Sequence, residues 1–152
     1  MGRAFVKEDD GAIPELLPEL PVSTAPNLVT PRGLRAIEKK VAELEAELHD
    51  AADEVEAARI RRDLRYWHGR RVTAQITESP GEVVGFGTRV KFRRGKRAAQ
   101  TIEMVGEDEA DPTAGRIAYV APIAHAMMGA EAGDVVKMGE DKLTVVAVEP
   151  LD

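Results

Sequence analysis

The chain has no cysteine, so neither a disulfide framework nor a thiolate metal site can form. Aromatics are scarce: one Trp, two Tyr and three Phe among 152 residues require a mainly aliphatic core. No apolar run approaches the ~20 residues that a membrane-spanning helix needs. The N-terminal Met-Gly-Arg-Ala-Phe-Val lacks the apolar stretch of a signal peptide, and Val6 stands where a myristoylation signal needs Ser or Thr. His49, His68 and His125 are scattered, with no metal-ligand spacing. These absences lead us to expect a cytoplasmic monomer of one domain or two small lobes, with no membrane partner, no cofactor and no metal of its own.

What is present is segregated charge. The net charge is −6, yet residues 38–56 carry eight acids against Lys39 and Lys40, and residues 59–71 carry six arginines against Asp63. Residues 89–97 hold six cations and no acid, and five acids follow between Glu103 and Asp111. A chain so patched is suited to touching a charged partner at defined places rather than to coating nucleic acid along its length.

Residues 1–28 contain Pro14, Pro18, Pro21 and Pro26, a density that excludes helix and sheet interiors and predicts a disordered or extended arm. A sharper alternative is a docking peptide anchored by Phe5, Val6 or Leu16-Leu17. Thr30 and Pro31 then open a helix, Thr30 as cap and Pro31 at the first helical position, with Val29 and Leu34 as a hydrophobic staple. Leu34, Ile37, Val41, Leu44 and Leu48 form one seam, and Ala57, Ile60, Leu64 and Trp67 a second that is out of phase with it. The phase break between residues 49 and 56 favours an antiparallel helical hairpin over a single bent helix.

Ser79-Pro80-Gly81 ends the helical region at residue 78. Beyond it, strands are expected over Val83–Phe92, Ala99–Val105, Arg116–Val120, Val135–Met138 and Leu143–Val148, with a short helix over Pro122–Met128. The fold class is therefore α+β: a hairpin over 29–78 and a small, mostly antiparallel sheet with one helix over 79–152.

Three blocks, Leu28-Val-Thr-Pro-Arg-Gly-Leu34, Phe86-Gly-Thr-Arg-Val90 and the run from Val105 to Asp134, resemble the GreA/GreB family of bacterial transcription elongation factors. The resemblance covers residues 28–149 and rests mainly on the third block. It implies an FKBP-like C-terminal domain that grips RNA polymerase at the secondary channel, and a coiled-coil hairpin that points down it. It also implies that acids at the hairpin tip, here Asp50, Asp53 and Glu56, serve the polymerase active-site Mg²⁺. The polymerase-contact set it implies is Val120, Ala121, Pro122, Ile123 and Met127; Ile123 and Met127, spaced i and i+4, also suit packing on the sheet.

Two departures from the family pattern bear on function. Val120-Ala121-Pro122 stands where the family often has Asp/Asn-Ser-Pro, so a polar contact is lost. The first arm, Pro31 to Asp50, has 20 residues and a reach of ~30 Å, about a dozen residues short of the family's cleavage factors. The chain thus resembles the short-hairpin, Rnk-like members, and a non-catalytic regulator is expected ahead of a cleavage factor donating Asp50 and Asp53. Arg59, Arg62, Arg65 and Arg70 are candidate contacts for nascent RNA, or else partners for acids of the first arm. An FKBP-like prolyl isomerase or chaperone is the rival class, with Phe86, Phe92 and Tyr119 as its only aromatics in this lobe; a free-standing nucleic-acid binder is disfavoured by the net charge.

Overall fold

The structure, a computed structural model, describes residues 17–151. Phe5, Val6 and Leu16, named above as docking anchors, lie outside the described residues. The elements are β1 (Leu28–Val29), α1 (Pro31–His49), α2 (Glu54–Thr73), β2 (Gln75–Ile76), β3 (Thr88–Arg94), β4 (Gln100–Val105), β5 (Arg116–Ala118), α3 (Pro122–Met127), β6 (Val135–Met138) and β7 (Asp141–Pro150). The described residues divide into a helical unit, residues 17–24 with 35–73, and a sheet unit, residues 25–34 with 74–151.

In the helical unit the two seams meet as their spacing requires. Val41 and Leu44 of α1 pack with Ile60 and Leu64 of α2, and Leu48, Ala51 and Trp67 close the cluster. Val55, which would have continued the first seam, is 67% exposed, so the apolar stripe shifts at residues 50–53 and the chain reverses there. Residues 17–24 belong with this unit instead of standing apart as a free arm. Both carboxylate oxygens of Glu19 accept hydrogen bonds from Arg65, each at 2.8 Å, a two-pronged contact between the segment and α2.

In the sheet unit the strand order is β5-β4-β3-β7-β6. All neighbours run antiparallel except β4 and β5, which are parallel. The helix α3 covers one face, where Ala124 and Met127 complete a core of Val84, Val90, Phe92, Ile102, Met104, Leu143 and Val145. The expected strand over Val83–Phe92 begins only at Thr88. Residues 83–87 turn instead, held by Thr88, whose hydroxyl donates to the Gly85 carbonyl at 2.6 Å. The helical stretch likewise ends at Thr73, short of residue 78, because β2 pairs in parallel with β1: Leu28 lies opposite Gln75, and Val29 opposite Ile76. The arm therefore stops before residue 28, and Asn27, Val29 and Thr30 are buried.

Candidate functional site

The hairpin tip is closed by its own acids. Asp53 Oδ1 accepts the Glu56 N–H at 2.8 Å, and Glu56 Oε1 accepts the Ala52 N–H at 2.8 Å. This is the reciprocal logic of a capping box, set across the first turn of α2. Glu56 Oε2 further lies 3.9 Å from Arg59. Asp50, at the end of α1, is exposed. The three carboxylates predicted as a tip triad thus divide into two caps and one outward acid. The signal was legible, since Asp53-x-x-Glu56 is itself the capping pattern. No group of three or more acids, His or Cys able to hold a metal is found among the described residues.

The arginines of α2 also have local occupations. Arg59 lies 3.9 Å from Glu56 and 3.8 Å from Asp63, and Arg62 bonds Asp63 at 3.2 Å. Arg65 is held by Glu19, and Arg70 is buried at 3% exposure with its guanidinium 6.0 Å from the Tyr66 ring centre. The partners of Arg59, Arg62 and Arg65 lie on their own helix or on the N-terminal segment. Pairing with the acids of α1 is thus corrected for these three: Arg59 meets acids one helical turn away, Arg62 the adjacent Asp63, and Arg65 meets Glu19. His68, 3.8 Å from Glu45, is a contact that does cross the hairpin.

In the sheet unit the predicted docking residues separate by depth. Pro122 is exposed, while Val120, Ala121 and Ile123 are half-buried. Met127 is fully buried in the core, so it presents no surface, and Ile123 packs against the same core. The i, i+4 spacing of Ile123 and Met127 is thus a helix-to-sheet contact. Ala121 is the N-cap of α3 and offers no side-chain hydrogen bond there, which is the local consequence of losing a Ser or Asp at this turn.

Sequence reading missed the polar network that fastens the start of α1 to the sheet. The Thr30 hydroxyl accepts the Gly33 N–H at 2.9 Å, as a cap should, and donates to Glu109 Oε1 at 2.7 Å. Arg32 donates to Glu109 Oε2 and, at 3.0 Å, to Glu103. Arg89 donates to Glu103 at 3.1 Å and to Glu149 at 3.1 Å. Burial pushes the Glu103 carboxyl up, but hydrogen bonds from Arg32 and Arg89 outweigh it and hold the group below the usual carboxylate range. Two glycines make the approach possible. A Cβ on Gly33 would stand 2.7 Å from Glu109 Oε1, and one on Gly106 would stand 2.3 Å from the Leu28 carbonyl oxygen. The motif Leu28–Leu34 is therefore a docking strip for the acidic loop, which explains why those residue types occur together.

The aromatics of this unit are used internally. Phe92 is fully buried, Phe86 packs edge-on to Tyr119 at 5.6 Å, and the Tyr119 hydroxyl donates to the Pro26 carbonyl at 2.6 Å. None is left to line a proline-binding pocket, which counts against the isomerase alternative.

Residues 79–150 match the family described as Transcription elongation factor, GreA/GreB, C-term. The transcription elongation factor GreA of Rhizobium etli is 38% identical over 64 residues, 41% of this chain and 40% of that protein. The chain thus spans about two fifths of the length of such relatives. The GreA of Desulfovibrio desulfuricans is 27% identical over 134 residues, 72% of this chain and 83% of that protein. As 72% of 152 residues is about 109, about 25 of those 134 aligned positions have no counterpart here. GreA factor homolog 1 of Thermus thermophilus, a solved structure, is 20% identical with a TM-score of 0.40, over 82% of this chain and 99% of that one.

Proposed function

We propose that this chain, which matches the GreA/GreB family of transcription elongation factors through residues 79–150, is a non-catalytic regulator of RNA polymerase. It docks at the secondary channel through the turn at Val120, Ala121, Pro122 and Ile123, and presents a shortened hairpin to the channel. The observation that carries this reading is the tip: Asp53 and Glu56 are committed to capping α2, which leaves Asp50 as the outward carboxylate. Hairpin length supports it too. α1 has 19 residues, a length of about 28 Å; if the ~25 unmatched positions fall equally in the two arms, they shorten the reach by ~18 Å. A carboxylate that far from the polymerase Mg²⁺ cannot ligate it. The factor occupies the channel without supplying the acid that cleavage requires, and any Mg²⁺ involved is the polymerase's own.

The test has two arms. Core polymerase should retain the purified chain, and Pro122→Asp should weaken retention at least about tenfold if the turn is buried on docking. Backtracked elongation complexes should then show no stimulated transcript cleavage. A stimulation abolished by Asp50→Ala with Asp53→Ala would establish the cleavage-factor alternative instead.

A further inference from the structure

We infer that the face of the sheet opposite α3, at the end formed by the β3–β4 and β6–β7 turns, is a binding surface for the phosphate backbone of nucleic acid. Alternation along the strands sends Val90, Phe92, Leu143 and Val145 into the core, and Lys91, Arg93 and Lys142 to the opposite face. Lys137 of β6 joins them directly opposite Lys142, and Lys96 and Arg97 of the β3–β4 turn extend the patch. All six cations are exposed. None is in an ion pair among the described residues.

The same face shows what a structural cation looks like in this protein. At its other end Arg89 is matched by Glu103 and Glu149 on the two flanking strands. Lys91, one outward step along, faces Thr101 and Ala147, and Arg93 faces Thr144. Acids at those positions would each add cross-strand attraction, and Lys137 opposite Lys142 is a repulsive pair. A lysine on an edge strand can serve to block edge pairing, which accounts for Lys137. It does not account for Lys91 and Arg93, because β3 is the central strand. Like charges gathered on one exposed face are screened by water and salt, and they gain further by meeting an anion.

The chemistry of the face selects the occupant. Lys91 and Arg93 stand about 7 Å apart along one strand, and β3, β7 and β6 together span about 10 Å. The array is two-dimensional, suited to the dense charge of a sugar-phosphate surface. An acidic protein would need an apolar or aromatic anchor to be held. The outward positions here offer only Val135 and Val146, and the ring of Phe92 is on the far side. With no aromatic to stack on a base, contact is with phosphate and independent of sequence. The net charge of −6 does not forbid this, because in physiological salt a patch is felt over about 8 Å, less than the span of the array.

Anisotropy titrations of the full chain with a labelled mixed-sequence RNA and a labelled DNA duplex test the inference, from low to physiological salt and without polymerase. Lys91→Thr with Arg93→Thr should weaken binding at low salt at least about tenfold and make the log–log salt slope shallower by about 2. Threonine keeps β propensity, and an unchanged melting curve verifies the fold. Arg59→Ala with Arg62→Ala should leave that binding intact. Unaltered affinity in the sheet variant, loss only in the helix variant, or binding to polyglutamate but to neither nucleic acid would each overturn the inference. Since no polymerase is present, none of these results depends on the docking reading above.

Discussion

Arg59, Arg61 and Arg62 in the helical unit meet acids one to seven positions away, on side chains that are about half or a fifth exposed. Arg32 and Arg89 in the sheet unit reach acids 14 to 77 positions away, and the Glu109 side chain in that network is only 6% exposed. Pairs of the first kind are close to neutral in energy, because the partners are already neighbours in the unfolded chain and water screens them. Those of the second kind fasten distant segments, and they leave costly unpaired groups when one member is removed. The helical unit accordingly depends on its aliphatic seam, and the sheet unit on its core and on one polar clasp.

The comparison can be broken most forcefully in the seam. Ile60→Ala should cost about 2–5 kcal/mol in denaturant unfolding, because Ile60 is buried at 1% exposure between Val41 and Leu64. A cost below about 1 kcal/mol would mean that the hairpin does not rely on that contact. Glu109→Ala strands the Thr30 hydroxyl and one prong of Arg32, and should cost about 1–3 kcal/mol, read as a lowered Tm.

Acid sharpens the contrast. Because the folded-state pKa of Glu103 is lowered, its contribution is fully present above the ordinary carboxylate pKa and is lost as pH falls through the lowered value. Hydrogen exchange at residues 30–34 should accelerate in that acidic range in the wild type but not in Glu103→Gln, which lacks the titrating group. Ala121→Ser should stabilise the sheet unit by about 0.5–1 kcal/mol, through a cap that α3 now lacks. The smallest effect is expected for Arg61→Ala, within about 0.5 kcal/mol, since its partner Glu54 is an exposed neighbour on the same helix.

Local signals in the sequence proved sufficient wherever the determining partner lies within a few residues. Thr30 and Pro31 start α1, the seam shift at residues 50–53 turns the chain, and Pro122 opens α3. Val135–Met138 was placed to the residue. The misreadings share a cause, which is a partner far away in sequence. Leu28 looked like the end of a proline-rich arm and Val29 like a helix staple, because β2 lies beyond the whole hairpin. Glu109 counted only as one of the five acids between Glu103 and Asp111, because Thr30 and Arg32 are 79 and 77 positions distant. At the tip the difficulty was different: Asp53 and Glu56 satisfy two patterns at once, and only geometry shows which backbone amides they hold.

The parallel pairing of Leu28–Val29 with Gln75–Ile76 brings the chain's exit from the sheet unit beside its return. Everything between residues 35 and 73 is then a detour whose two ends are already joined. Deleting matched helical turns from both arms alters the detour without moving either anchor. Matched insertions or deletions of whole helical turns in both arms should therefore leave the stability of the sheet unit unchanged.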